Sequence, residues 1–231
     1  MTEKEKIRAE FLGGAGQAVL PAGLWGKTAE MVRRLESYRQ SATVFVTPAA
    51  HLTQIRINAL LDGKNLLMPS PGLKDGFFIL PPLAVPFQSL GFAVTHRGLP
   101  KFGQRLPAEA AAEYPPGIIL TGAVAVDRQG GRLGDGRGLV DLSCALLAEL
   151  GPGLGDPPLY AVIAAEQLIT TILPRDPWDV PLTGAITPVE IVHFPAAPTP
   201  AARIFWDKLT LKQIKKISPL WQLYNHRNPL K

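Results

Sequence analysis

Short apolar runs alternate with helical periodicities along most of the chain. Ala42–Val46 and Leu66–Pro69 are compact, largely β-branched or aliphatic runs of strand length. Between them AHLTQIRINALLDGKN places Leu52, Ile55, Ala59 and Leu60 on one helical face and stops at Gly63. Ile118–Val126 and Leu159–Ala165 read as further strands, and VEIVHF (189–194) alternates as a last one. From Leu139 the apolar positions return at helical spacing through Leu142, Leu146, Leu147 and Leu150. This repeated strand–helix–strand rhythm predicts an α/β fold with a mostly parallel sheet covered by helices.

The same periodicity predicts a charged N-terminal helix over 3–12, with Ile7, Phe11 and Leu12 inward, and a helix Ala29–Tyr38 presenting Met31, Val32 and Leu35. A turn follows at Gly151–Pro158, and a proline–alanine linker begins at residue 195. Residues 70–116 hold eight prolines and read as loop. Past the linker, Ile204, Leu209, Leu211, Ile214, Ile217 and Leu220 suggest an amphipathic helix pair broken at Pro219, with Lys208, Lys212, Lys215 and Lys216 on the opposite face. The expected organisation is one α/β domain over 1–200 and a basic helical extension over 201–231, packed on the domain or appended to it.

Candidate chemistry concentrates in GIILTGAVAVDRQGGRLGDGRGLVDLSCALLAEL (117–150): a strand, a glycine-crowded loop and a helix. Gly134, Gly136 and Gly138 permit positive φ and close approach of a ligand to the backbone. The free N–H groups opening the next helix favour phosphate. Arg132 and Arg137 flank the loop with guanidinium forks suited to phosphate oxygens. Asp141 falls in the first helical turn, where it can hold a metal that bridges such oxygens. The spacing is not the dinucleotide G-x-G-x-x-G, because the third glycine comes one residue early. Gly26-Lys27-Thr28 has the tail of a P-loop, but Pro21 stands where its first glycine is required and no strand precedes it.

Composition narrows this picture. The chain has 231 residues, 46% of them hydrophobic and 19% charged, which suits a globular domain with a substantial core. One cysteine, Cys144, excludes an intrachain disulfide and a multi-cysteine zinc site, and its place beside Leu146 and Leu147 predicts a buried structural thiol. MTEKEKIRAEF has no apolar signal core, and no run of about 18 apolar residues occurs; the expectation is a soluble, cytoplasmic protein without membrane association. The net charge of +5 is compatible with nucleic acid, yet an anionic small molecule explains so modest an excess equally well.

The pattern D-x-x-G-x-R-L-G-x-G-x-G-x-x-D (127–141) resembles the signature loop of the 5-formyltetrahydrofolate cyclo-ligase (methenyltetrahydrofolate synthetase) family. The wording GAVAVDRQGGRLGDGRGLVDL, and PAAHLTQIRINALLDGKNLLMPSPGLKDGFFILPP upstream, are closer to its divergent methenyltetrahydrofolate synthetase domain-containing branch. The resemblance runs over roughly residues 3–220 and is strongest over 121–142. It implies a three-layer α/β fold of the phosphosugar-isomerase-like (NagB/RpiA/CoA-transferase) type. It also implies ATP- and Mg²⁺-dependent conversion of 5-formyltetrahydrofolate to 5,10-methenyltetrahydrofolate, with a reduced folate and ATP as small-molecule partners.

By the resemblance, Lys4 and Arg8, four apart on one helix face, reach the nucleotide phosphates. The loop Arg132, Leu133, Gly134, Asp135, Gly136, Arg137 and Gly138 seats them, with Arg137 and Asp141 catalytic and Asp141 and Asp179 near the metal. On residue pattern alone Lys4 and Arg8 are equally a solvated face, and Asp179, clustered with Arg175 and Asp176, is equally an exposed loop aspartate. The family's pterin-gripping glutamate has no counterpart, for Ala49, Ala50, His51, Leu52 and Thr53 stand there. His51 is then a substrate contact or a capping residue, and Trp178 a substrate-side lid or core. The loop aromatics of the family are Leu139 and Val140 here. Three readings follow: the ligase, a nucleotide- or folate-binding or regulatory module that has lost ligase chemistry, and, third, an RNA-associated protein using the basic tail.

Overall fold

The structure is a computed structural model that describes residues 1–13, 21–151, 156–195 and 202–227. The side chain of Leu12, most of the expected turn at Gly151–Pro158 and the linker after residue 195 lie outside the described residues. Helix α1 (Glu3–Gly13) opens the chain, followed by α2 (Trp25–Arg34) and α3 (Glu36–Gln40). Then come β1 (Thr43–Val46), α4 (Thr53–Leu61), β2 (Asn65–Pro69) and β3 (Phe77–Leu80). Short helices α5 (Leu90–Ala93) and α6 (Leu99–Phe102) lead to β4 (Gln104–Leu106), β5 (Pro116–Thr121), β6 (Ala125–Asp127) and β7 (Arg132–Leu133). Helix α7 (Leu139–Leu150), β8 (Leu159–Val162), β9 (Leu168–Ile169), β10 (Gly184–Ile186) and β11 (Ile191–His193) complete the body, and α8 (Leu211–Lys216) and α9 (Ser218–Arg227) end it.

Eight strands form one sheet in the order β11-β10-β8-β5-β1-β2-β3-β4. The five central strands, β10 to β2, are parallel, and antiparallel strands close both edges. Alternation along each strand divides the core into two layers. Val44 and Val46, Ile118 and Leu120, and Tyr160 and Val162 face α2 and α4. Phe45, Ile119, Leu159 and Ala161 face α7 and the C-terminal helices. A smaller sheet, β7-β6-β9, sits beside this frame.

Four expectations change against this fold. The apolar run Ile118–Val126 is two strands in two sheets, because Gln167 Nε2 donates to Ala123 O (2.6 Å) and Val124 O (3.2 Å) and diverts the chain there. The helix expected over 29–38 begins earlier and breaks at Leu35, whose ψ of 131° is extended. Asp62 holds both halves, taking Arg33 Nε (2.8 Å) and Tyr38 Oη (2.7 Å). The loop-rich stretch 70–116 contains two antiparallel strands, β3 and β4, of which β4 is the edge, together with two short α-helices and three 3-10 turns. The C-terminal break falls at Ile217, and Pro219 sits inside the first turn of α9, where its missing N–H costs nothing. Gly26-Lys27-Thr28 lies within α2, with Thr28 Oγ1 donating to Trp25 O (3.0 Å), so no P-loop forms. No helix among the described residues is long and apolar enough to cross a membrane.

Candidate nucleotide and substrate site

In the sheet order, β1 leads to β2 on one side while β5 lies on its other side. Such a reversal opens a crevice at the carboxyl ends of the strands. A cavity of about 710 Å³ occupies it, lined by the segments following β1 and β5, by the glycine loop and by α1. His51, turned back over β5, brings Nε2 within 3.1 Å of Val162 O. Gly122 permits this crossing, since a Cβ there would lie 2.7 Å from His51 Cε1.

The glycine loop is built by its neighbours. Asp127, 1% exposed, accepts from the N–H groups of Gln129 (2.8 Å), Gly131 (2.7 Å) and Leu173 (3.0 Å) and fixes the chain entering the loop. Gly136 (φ +89°) and Gly138 (φ +65°) take the left-handed conformation, and Gly138 starts α7 from it. Asp135 Oδ1 accepts from the Arg137 N–H at 3.0 Å, a local turn that points Arg137 outward, its side chain 85% exposed.

Helix α1 crosses this loop. Arg8 Nε donates to Gly134 O at 2.8 Å. Lys4 pairs with Asp176 (2.6 Å) and more closely with Asp179, while the Asp176 N–H donates to Asp179 Oδ2 at 2.7 Å. Ile7 and Phe11 pack with Ala125, Leu133 and Leu173 in a small cluster beneath. Arg132, with only 7% of its side chain exposed, donates Nη2 to Asp141 Oδ2 at 2.6 Å, and Asp141 Oδ1 accepts from the Val180 N–H at 3.0 Å. Arg132 Nε is buried without a hydrogen-bond partner.

Lys4, Arg8, Arg132, Gly134, Asp135, Gly136, Arg137, Gly138, Asp141, His51, Trp178 and Asp179 thus all line one cavity, although they come from four separate segments. Leu133 lies behind it, 1% exposed. Trp178 stands 38% exposed, edge-on to Phe205 at 6.0 Å. Asp141 and Asp179, named as metal ligands by the resemblance, are here the partners of Arg132 and Lys4. No group of three or more metal-ligating side chains occurs among the described residues, so a divalent ion would have to bring most of its ligands with it.

Sequence reading missed Arg56 and His96. Arg56 is 2% exposed and donates to Thr47 O (2.6 Å), Ala49 O (3.0 Å) and Thr53 Oγ1 (3.0 Å), with no carboxylate in that set. Burial lowers it to about 10. Its charge also depresses His51 and His96, although burial is the larger cause for both. His96 lines the cavity too. The one available signal for Arg56 was its place on the apolar face of α4, directly after Ile55. Cys144 is buried as expected, its thiol pushed up to about 12 by desolvation, which leaves it protonated and unreactive.

A mostly parallel sheet with a cationic, glycine-lined crevice at its switch point defines an α/β protein. The model of the 5-formyltetrahydrofolate cyclo-ligase family matches residues 1–188, and the chain belongs to that family. It is 25% identical over 206 residues to the methenyltetrahydrofolate synthase domain-containing protein of Bos taurus, covering 87% of this chain and 53% of that one. It is 37% identical over 83 residues to the 5-formyltetrahydrofolate cyclo-ligase of Mycolicibacterium smegmatis, covering 36% of this chain and 38% of that one. The chain spans about half the length of its domain-containing relatives. Among solved structures, the 5,10-methenyltetrahydrofolate synthetase of Aquifex aeolicus superposes with a TM-score of 0.53 at 17% identity, covering 89% of this chain and 97% of that chain, a likeness of fold.

Proposed function

We propose that the protein is a cytoplasmic, ATP- and Mg²⁺-dependent 5-formyltetrahydrofolate cyclo-ligase, forming 5,10-methenyltetrahydrofolate, ADP and phosphate. The carrying observation is that α1 delivers Lys4 and Arg8 onto the loop that holds Gly134, Gly136 and Arg132. Three cations from two distant parts of the chain thereby meet at backbone that can approach a ligand closely. That arrangement suits a polyphosphate. The phosphosugar-isomerase-like grouping of the fold, with 1–200 as the ligase unit and 201–231 as its extension, belongs to the same reading.

In this reaction the formyl oxygen takes the γ-phosphoryl group, N10 closes on the activated carbon, and phosphate leaves. The protein supplies position and charge neutralisation. Backbone at Gly134, Gly136 and Gly138 holds the phosphates, and Arg8, Arg132 and Arg137 offset their charge. Lys4 turns from Asp176 and Asp179 to the nucleotide phosphates. Asp141 and Asp179 are the carboxylates that would hold Mg²⁺, which when bound would neutralise phosphate charge. His51 and Trp178 line the folate side.

The test is turnover: the chain with 5-formyltetrahydrofolate, ATP and Mg²⁺ should generate methenyl absorbance, and no absorbance change under conditions where ATP binds would refute the ligase. A nucleotide-binding module without ligase chemistry is the second reading. It is favoured by the stretch Thr47–Thr53, which carries no carboxylate, while Arg56 already occupies Thr47 O and Ala49 O. ATP binding by calorimetry without turnover would select it.

A further inference from the structure

A second cavity, of about 240 Å³, has no lining residue in common with the first, yet borrows from two of the same segments. In the turn after β2, Gly72 and Leu73 line the larger cavity, and Asp75 and Gly76 line the smaller. Where α8 meets α9, Ile217 lines the larger and Pro219 the smaller. The place is firmly built. The Asp75 N–H donates to Ser70 Oγ at 2.9 Å, and the Asp75 carbonyl accepts from Arg105 Nε at 3.1 Å. Arg105 Nη2 donates to Ser218 Oγ at 2.8 Å, and the Ser218 N–H donates to Lys74 O at 2.9 Å. Gly76 (φ +75°) brings the turn against Pro219, whose Cγ would lie 3.3 Å from a Cβ there. The turn, β4 and the start of α9 are thereby tied together.

Every one of those bonds is made to backbone or to a hydroxyl. Among the described residues neither the Asp75 carboxylate nor the Arg105 guanidinium is paired with an opposite charge, although both line the same cavity. The floor beside them is apolar: Phe77 is 2% exposed and Leu106 7%, with Leu150 from the end of α7 and Pro219 alongside. Two of the five guanidinium N–H groups are used, so the rest of the fork is available to a carboxylate. A plain anion would meet Asp75 as well as Arg105, and a plain amine the reverse. A small zwitterion with an apolar side chain satisfies both charges and the floor. The volume lies below the about 300–1,000 Å³ of sites for drug-sized ligands, which agrees with so small a molecule. We propose that this cavity is a second binding site, for a free apolar α-amino acid, with its ammonium on Asp75, its carboxylate on Arg105 and its side chain against Phe77, Leu106 and Leu150.

Calorimetry on the full chain tests it, with L-leucine as the probe. The wild type should bind L-leucine about tenfold or more tighter than glycine, leucinol or 4-methylpentanoate, which lack the side chain, the carboxylate and the ammonium in turn. L-leucine should still bind when ATP is saturating. Asp75→Asn keeps both backbone bonds of the turn; it should weaken L-leucine about tenfold and leave 4-methylpentanoate unchanged. Arg105→Gln should weaken L-leucine and leave leucinol unchanged. This crossed pattern belongs to direct contact, because a disturbed fold would weaken all the ligands together. No binding of L-leucine at millimolar concentration, affinity that both variants leave intact, or displacement by ATP overturns the assignment. None of these measurements involves turnover, so the second site and the ligase reading stand or fall separately.

Discussion

At the scale of single residues, the site is a set of charges that already have partners. Asp141 sits between Arg132 and the Val180 N–H. Replacing it by Asn keeps an acceptor for Val180 but leaves a largely buried guanidinium without its counter-charge. Breaking such a pair costs about 3 kcal/mol, so Asp141→Asn should lower the apo melting temperature by roughly 10 °C. The freed Arg132 then accepts phosphate directly. Calorimetry should find metal-free ATP bound at least as tightly as by the wild type, while the strengthening by Mg²⁺ is lost; a full Mg²⁺ effect in the variant would remove Asp141 from the metal.

The two histidines of the cavity make a second residue-level case. Burial first and the Arg56 charge second hold His51 and His96 below the ordinary value near 6.5. Folded protein then binds fewer protons than unfolded, so the stability tied to these groups is complete above pH 6.5 and is lost as pH falls through their lowered folded values. Urea midpoints should drop between pH 7 and pH 5, and a His51→Gln/His96→Gln variant should drop less over that window. Equal slopes for the two proteins would mean that other groups carry the loss.

At the scale of elements, α1 does two separable jobs. Arg8 touches the loop backbone, whereas Lys4 holds Asp176 and Asp179 together and with them the segment that carries Trp178. Arg8→Ala should raise the KM for ATP about tenfold, the size of one charge-assisted hydrogen bond, without changing the KM for the folate. Lys4→Ala should raise both, because two carboxylates left side by side repel and move Trp178. Steady-state kinetics with each substrate varied separates the two outcomes.

The strand–loop–helix of 117–150 and the βαβ unit of 42–69 were legible because their apolar spacing is local. The break at Leu35 and the division of Ile118–Val126 were not, because Asp62 and Gln167 impose them from distant positions. For the same reason the glycine loop could be read from its residues, but the pairing of Arg132 with Asp141 and the buried place of Arg56 could not. Periodicity reports which face is apolar and says nothing of which polar atom a side chain will meet.

At the scale of the whole molecule, the question is whether 1–200 is a folding unit. The second core layer argues that it is not. Ile204, Ile214 and Leu220 are almost fully buried within it, and Trp206, Trp221 and Tyr224 pack against it. Burying an aliphatic side chain contributes about 2 kcal/mol, so the three aliphatics alone approach the total stability of a typical domain, about 5–15 kcal/mol. They are also spread along the same face as α7, whose first turn forms the site. A chain ending at residue 201 should therefore lose cooperative thermal unfolding and bind a hydrophobic dye at 25 °C, and adding ATP should not restore it. If the truncated chain melts cooperatively within a few degrees of the full one and still binds ATP, the helix pair is an appendage.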